Sequence, residues 1–194
     1  MTVLGITGGI GSGKSVVSQL LSLNGISVYI ADTESKRLVS TSPAIREKLI
    51  HLFGEEIYAG GVLNKPLLAS YIFNDKKVLE TVNAIIHPEV GKDFQQWLQL
   101  YNRYDIVAQE SAILFESGFN RLVDKVIMVY TPLEIRIRRV MERDNITRDK
   151  VLERIQNQMT DEEKAKLSDF VIVNDGTKSL IGEVFNILQQ IKEN

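Results

Sequence analysis

Gly8-Gly9-Ile10-Gly11-Ser12-Gly13-Lys14-Ser15 reads G-x-x-x-x-G-K-[ST] and lies between the apolar run Val3 to Ile6 and a helical pattern that begins at Lys14. The residue types dictate what such a stretch does. Glycines let consecutive backbone N–H groups curl around a phosphate, and the helix that follows turns its positive end toward the same anion. Lys14 adds a mobile cation for the β- and γ-phosphates, and the Ser15 hydroxyl stands where a Mg²⁺ ligand is needed. Chance supplies this pattern in roughly 1% of chains this long, and the strand before it and helix after it argue against a merely flexible turn. Gly8, Gly9, Gly11, Ser12, Gly13, Lys14, Ser15 and Val16, the first apolar residue of the helix, are the expected nucleotide-binding set.

Working outward, Asn24-Gly25 stops the helix and Ile26 to Ala31 reads as a second buried strand. A right-handed crossover sets the two strands parallel, with both carboxyl ends on the edge that carries the loop. Asp32 stands where the second strand ends. Two readings of it are open: acceptor of a proton from an attacking hydroxyl, or cap of a helix over Thr33 to Val39. Asp105 to Ala108 is a third strand running into Gln109-Glu110-Ser111. Glu110 is a candidate for holding the Mg²⁺ water shell, with a plain surface acid as the alternative. Lys125 to Tyr130 and Ser168 to Asn174 complete the set. The expected fold is α/β, a three-layer phosphate-loop core around a five-stranded parallel sheet.

Two helical stretches interrupt that core. Ser42-Pro43 opens a helix through Phe53, Asn64-Lys65-Pro66 starts another, and a long one from Lys76 is expected to break at His87-Pro88. Taken alone, Lys65 reads as a solvated charge and His87 as a structural histidine. After the fourth strand Pro132 starts a helix on which Arg136, Arg139 and Arg143 recur at i, i+3 and i+7. A charged row is ordinarily a solvated face. The choice of arginine, with Arg148 and Arg154 in the next helix, suits a lid that brings guanidiniums onto a phosphoryl group. Thr147 is expected to cap that next helix, Thr160 to Glu163 is a capping box, and Leu180 to Ile191 directs Ile181, Val184, Ile187, Leu188 and Ile191 inward. One domain is expected, with a core over 1–57, 101–132 and 168–194, a helical acceptor-binding insertion over 58–100 and a lid over 133–167.

Composition narrows the class. The 194 residues are 44% hydrophobic with a net charge of −2, so the chain can bury a core and carries no broad basic field for nucleic acid. Cysteine is absent, which excludes disulfides and thiolate metal sites. No run approaches the ~18 apolar residues of a membrane span. The expectation is a cytoplasmic protein, monomeric or weakly homo-oligomeric, with no nucleic-acid or membrane partner. A GTPase needs a base-reading N-K-x-D; Asn64-Lys65-Pro66-Leu67 lacks the aspartate and comes too early. A small-metabolite kinase remains, against two rivals: a kinase of the nucleoside monophosphate or shikimate type, and a non-catalytic nucleotide switch.

The motifs together are more specific than the loop. Gly5 through Ser15, Ala31-Asp32, Phe53-Gly54, Leu63-Asn64-Lys65, His87-Pro88, Leu114-Phe115-Glu116, Arg154-Ile155-x-x-Gln158, Ser168-Asp169 and Asn174-x-Gly176 resemble, in order and along nearly the whole chain, the dephospho-CoA kinase family. The resemblance implies ATP-dependent phosphorylation of the ribose 3′-hydroxyl of dephospho-coenzyme A, with ATP and Mg²⁺ as cofactors. It implies Asp32 as catalytic base, Lys14 on the phosphates, Ser15 and Glu110 at the metal, and Arg139 as a lid arginine near ATP, with Arg143 beside it. It places Asn174 and Gly176 near adenine, and Lys36, Lys65, His87, Leu114, Phe115 and Glu116 around the acceptor. The chain departs from the family pattern at Ile30, Lys36, Lys65 and Glu110, where Asp, Arg, Arg and Asp are common. Lysine keeps the charge and loses the bidentate fork.

Overall fold

The computed structural model describes residues 1–73 and 75–193. Five parallel strands, β1 (Thr2–Thr7), β2 (Ser27–Ile30), β3 (Ile106–Glu110), β4 (Lys125–Tyr130) and β5 (Phe170–Val173), form one sheet in the order β2-β3-β1-β4-β5. The inner strands are short continuous apolar runs because both of their faces are covered. Leu4 and Ile6 of β1 join Val17 and Leu21 of α1 (Lys14–Leu23) and Val184, Ile187 and Leu188 of α9 (Leu180–Glu193) in one buried cluster. On the other face Gly5 leaves room for Leu114, whose Cδ2 stands 2.7 Å from where a Cβ on Gly5 would be.

Strand order reverses between β3 and β1, and at such a switch point a doubly wound sheet opens a crevice at its carboxyl edge. The phosphate loop leaves β1 there. Glu110 ends β3 directly opposite Ile6, so the expected acid does lie beside the first strand.

Chain contacts divide the molecule into two compact units, one of Met1–Ile30 with residues from Tyr101 onward, the other of Ala31–Leu100. The second unit is helical: α2 (Ala31–Thr41), α3 (Pro43–Phe53), a 3-10 segment (Glu55–Gly61), α4 (Lys65–Phe73) and α5 (Lys76–Leu100). It takes in the expected insertion 58–100 and also 31–57, which the sequence reading assigned to the core. The reason is helix packing: α2 and α3 pack against α5 and against each other, with Arg37 of α2 also donating to Asp93 of α5 at 2.6 Å and the Tyr58 hydroxyl donating to the Val39 carbonyl at 2.5 Å.

Caps fall where the sequence puts them at Ser42, whose hydroxyl accepts from Ile45 N, and at Thr160, where the capping box is complete. Thr147 occupies the N-cap position of α7 (Arg148–Gln156) with no side-chain hydrogen bond.

Two expectations fail on packing. The long helix does not break at His87-Pro88; α5 runs through Pro88. Proline in a helix interior costs about 3 kcal/mol. Val82, Ile86, Val90 and Phe94, at four-residue spacing, are all buried, and about 1.5–3 kcal/mol for each of them outweighs that cost. At the other end of the chain Ile181 is 69% exposed. Leu180, one helical step round, packs on the core in its place.

Candidate active site

The loop is built so that side chains are excluded from it. Gly8 has φ 144°, and a Cβ there would stand 2.3 Å from the Val129 carbonyl oxygen. Gly13, the residue before α1, has φ 94°, and its Cβ would stand 2.2 Å from Asn174 Nδ2. Any side chain at either position meets both left-handed strain and a collision. Lys14 is buried, and its Nζ donates to the Gly8 and Gly9 carbonyls at 3.0 and 3.2 Å, which holds the ammonium over the loop it serves. Ser15 and Val16 are exposed at the first turn of α1, where Val16 N already donates to the Gly13 carbonyl at 3.0 Å and the N–H groups before it are those that a helix start leaves for an anion.

Around this loop the structure gathers side chains that are distant in sequence. Asn174, at the end of β5, donates through Nδ2 to the Ser12 carbonyl at 2.8 Å. Thr131 Oγ1 lies 2.9 Å from both the Ser12 and Asn174 carbonyls and so ties the end of β4 into the same knot. Arg139 reaches toward the Asn174 carbonyl, its Nη2 at 3.4 Å, and its Nη1 lies 3.9 Å from the Cβ position of Gly13. Asn174 and Arg139 thus sit against the loop itself. Gly176 is exposed, with φ 90° in the turn that follows.

The arginine row of α6 (Leu133–Asp144) separates into three environments. Arg136 is buried and donates through Nη2 to Asp161 Oδ2 at 2.6 Å. Arg139 faces Asn174. Arg143 is exposed and pairs with its neighbour Asp144, which also accepts from Arg154. Those two guanidiniums, Arg143 first, hold the Asp144 carboxyl down at about 2. Residues at i and i+7 share a direction, but Arg143 lies about 10 Å further along the helix axis than Arg136. Direction alone therefore did not bring it to the loop.

Glu110 accepts from the Ser18 hydroxyl at 2.6 Å. Ser18 is one turn below Ser15 on α1, so a carboxylate and two hydroxyls line one side of the helix start. Among the described residues no group of three or more His, Cys, Asp or Glu could hold a metal. That donor set, oxygens with a single carboxylate, suits Mg²⁺, which keeps several waters and takes its remaining ligands from phosphates.

The expected acceptor residues fall into two groups. Leu114 is fully buried against Gly5. Glu116 is engaged by the lid segment: Met159 N donates to it at 2.8 Å and Lys164 Nζ pairs with it at 3.0 Å. Lys164, wholly buried in α8 (Asp161–Lys166), also donates to the Ala112 carbonyl at 2.6 Å. Phe115 is half-buried. In the helical unit Asp32 is exposed in the first turn of α2, which starts at Ala31, so it does not stand before the helix as a cap. Lys36 is exposed at i+4 from Asp32, and therefore on the same side of α2. Lys65 is exposed at the first position of α4, and half-buried His87 has its pKa lowered by burial.

Sequence reasoning missed Ser18, Thr131, Asp161 and Lys164. It quoted Gln158 only as a motif letter, yet Gln158 Oε1 accepts from Ile10 N in the loop at 3.0 Å. Ile10 also packs on a small cluster made by Ile137, Val140 and Val151. Ser18 was the one with a readable signal, since it follows Ser15 at i+3.

Comparison with known proteins follows the same lines. A family profile described as Dephospho-CoA kinase matches residues 2–179. A protein named dephospho-CoA kinase from Bacteroides fragilis (strain YCH46) is 51% identical over 185 residues, covering 95% of this chain and 90% of its own. One of the same name from Porphyromonas gingivalis is 44% identical over 193 residues, covering 99% and 95%. Among solved structures, TT1252 from Thermus thermophilus superposes with a TM-score of 0.86 at 34% identity, covering 98% of this chain and 97% of its own.

Proposed function

The chain belongs to the dephospho-CoA kinase family, and from that premise we propose how its residues carry out the reaction: the γ-phosphoryl of ATP passes to the ribose 3′-hydroxyl of dephospho-coenzyme A, giving coenzyme A and ADP. The observation that carries the reading is the loop's geometry. The Val129 carbonyl at Gly8 and the Asn174 side chain at Gly13 approach so closely that no Cβ fits, and Lys14 is held over the cradle. Such a site takes a polyphosphate, which both rivals would also bind, and the family match over residues 2–179 is what favours dephospho-coenzyme A as the acceptor.

Asp32 takes the proton of the 3′-hydroxyl as its oxygen forms a bond to the γ-phosphorus. The bond from that phosphorus to the β–γ bridging oxygen breaks, and ADP leaves with the electron pair. Lys14 and the loop N–H groups hold the β- and γ-phosphates in line, while Arg139 offsets charge on the moving group. Ser15 and Glu110, the latter steadied by Ser18, would hold Mg²⁺, which neutralises charge on the β- and γ-oxygens when bound. Arg143, turned to Asp144, has the weaker claim of the two lid arginines. Asn174 and Gly176 border the nucleotide. Lys36, Lys65, His87 and Phe115 are proposed to contact the acceptor, whereas Leu114 and Glu116 act through packing and anchoring. Among the described residues no helix is long and apolar enough to cross a membrane, and we place the enzyme in the cytoplasm with its substrates.

The test is a coupled assay of ADP release from ATP with dephospho-coenzyme A, shikimate and a nucleoside monophosphate as separate acceptors. ADP with dephospho-coenzyme A alone, matched by coenzyme A formed, is expected. Turnover only with another acceptor, or with none, would overturn the assignment.

A further inference from the structure

Asp161 has no part in the roles above, and it lies against the phosphate loop. Its Oδ2 accepts from Arg136 Nη2 at 2.6 Å, in a pair whose side chains are only 16% and 5% exposed. The guanidinium lies on Gly9: a Cβ there would stand 1.7 Å from Arg136 Nη1 and 3.3 Å from Asp161 Oδ1. Arg136 Nε is buried with no hydrogen-bond partner, so the carboxylate leaves this donor unsatisfied. Burial pushes the Asp161 carboxyl upward, as does Glu162, against the pull of Arg136, Lys164 and Lys14. The carboxylate is thus held at a cost between Arg136, which lies on Gly9 of the loop, and Lys14, the cation assigned to the phosphates. Gln158, three residues earlier, bonds Ile10 N, so the strap carrying Asp161 is fastened to the loop at a second point.

One anion beside a cation weakens the hold of that cation on another, most of all where water is excluded. We propose that Asp161 is an internal counter-ion that competes with the phosphates of ATP for Arg136 and Lys14, so that it holds nucleotide affinity below what the loop could otherwise reach. The inference rests on the reading of the loop as an ATP site. It makes Asp161 a positioning residue: it fixes Arg136 over Gly9, and its charge is the quantity that tunes binding.

The experiment is calorimetric titration of ATP and of adenosine into the wild type, Asp161→Asn, Arg136→Gln and the double variant, at two ionic strengths, with folding checked by circular dichroism. Asp161→Asn is expected to bind ATP about tenfold tighter, the size of one charge-assisted hydrogen bond gained by phosphate. The gain should shrink at high salt and be absent for adenosine, which has no phosphate. Arg136→Gln should weaken ATP by a similar factor, and in that background removing the Asp161 charge should recover only the smaller part owed to Lys14. If Asp161→Asn does not fold, Asp161→Ser carries the same expectation, since its hydroxyl can still accept from the guanidinium. A folded variant that binds ATP equally or more weakly than wild type overturns the proposal, as does an equal gain for adenosine. Failure of the wild type to bind ATP would instead remove the nucleotide reading, and this inference with it.

Discussion

Replacing Lys164 by Met tests how the lid segment is attached. The ammonium is wholly buried and makes two contacts, 2.6 Å to the Ala112 carbonyl and 3.0 Å to Glu116 Oε1. Breaking a buried ion pair from one side costs about 3–5 kcal/mol. Glu116 has 22% of its side chain exposed and keeps Met159 N as a donor, so it can recover some hydration. Methionine nearly conserves volume, and the added packing cost is small. The expected loss is therefore at the lower end, about 3 kcal/mol, a large part of the ~5–15 kcal/mol that holds a domain together. Urea unfolding of Lys164→Met, Glu116→Gln and the double variant measures it. The double variant should recover at least ~1 kcal/mol relative to the sum of the singles. A single-variant loss below about 1 kcal/mol, or strict additivity, would refute the reasoning that this pair anchors the segment.

Other consequences are open to direct measurement. Asp32→Asn should lower turnover by roughly 10²–10⁴ with ATP binding nearly intact; wild-type turnover in that variant would take Asp32 out of the mechanism. Ser18→Ala frees the Glu110 carboxylate, so the Mg²⁺ concentration for half-maximal rate should rise while the KM for dephospho-coenzyme A stays put, and an unchanged Mg²⁺ profile would argue that Ser18 does not orient the acid. His87 has a pKa lowered by burial, so its contribution to stability is present above the ordinary histidine value and is lost as pH falls through the lowered one. Thermal unfolding from pH 7 to pH 5 should show a steeper loss for wild type than for His87→Gln; parallel curves would contradict it.

The sheet, the loop and most helix ends were legible because each depends on neighbours in sequence. Apolar runs marked the strands, the glycines marked the loop, and Ser42 and Thr160 carried their own caps. Pro88 misled for the same reason: the local rule is to break, and the buried stripe Val82, Ile86, Val90 and Phe94 overrode it. The arginine row was visible as a row, but its division among Asp161, Asn174 and Asp144 was not, because each partner lies on a different element.

By itself the sequence determined that this chain winds a parallel sheet around a phosphate-binding loop, and the order of its motifs determined the family it resembles. Only the tertiary structure decided which side chains serve that loop. Ser18 meets Glu110 across 92 residues, Ile10 meets Gln158 across 148, and Lys164 meets Ala112 across 52. Backbone conformation answers to residues a few positions away, so it can be read along the chain. The partners of a buried charge are chosen by which elements pack together, and that choice is made only when the chain has folded.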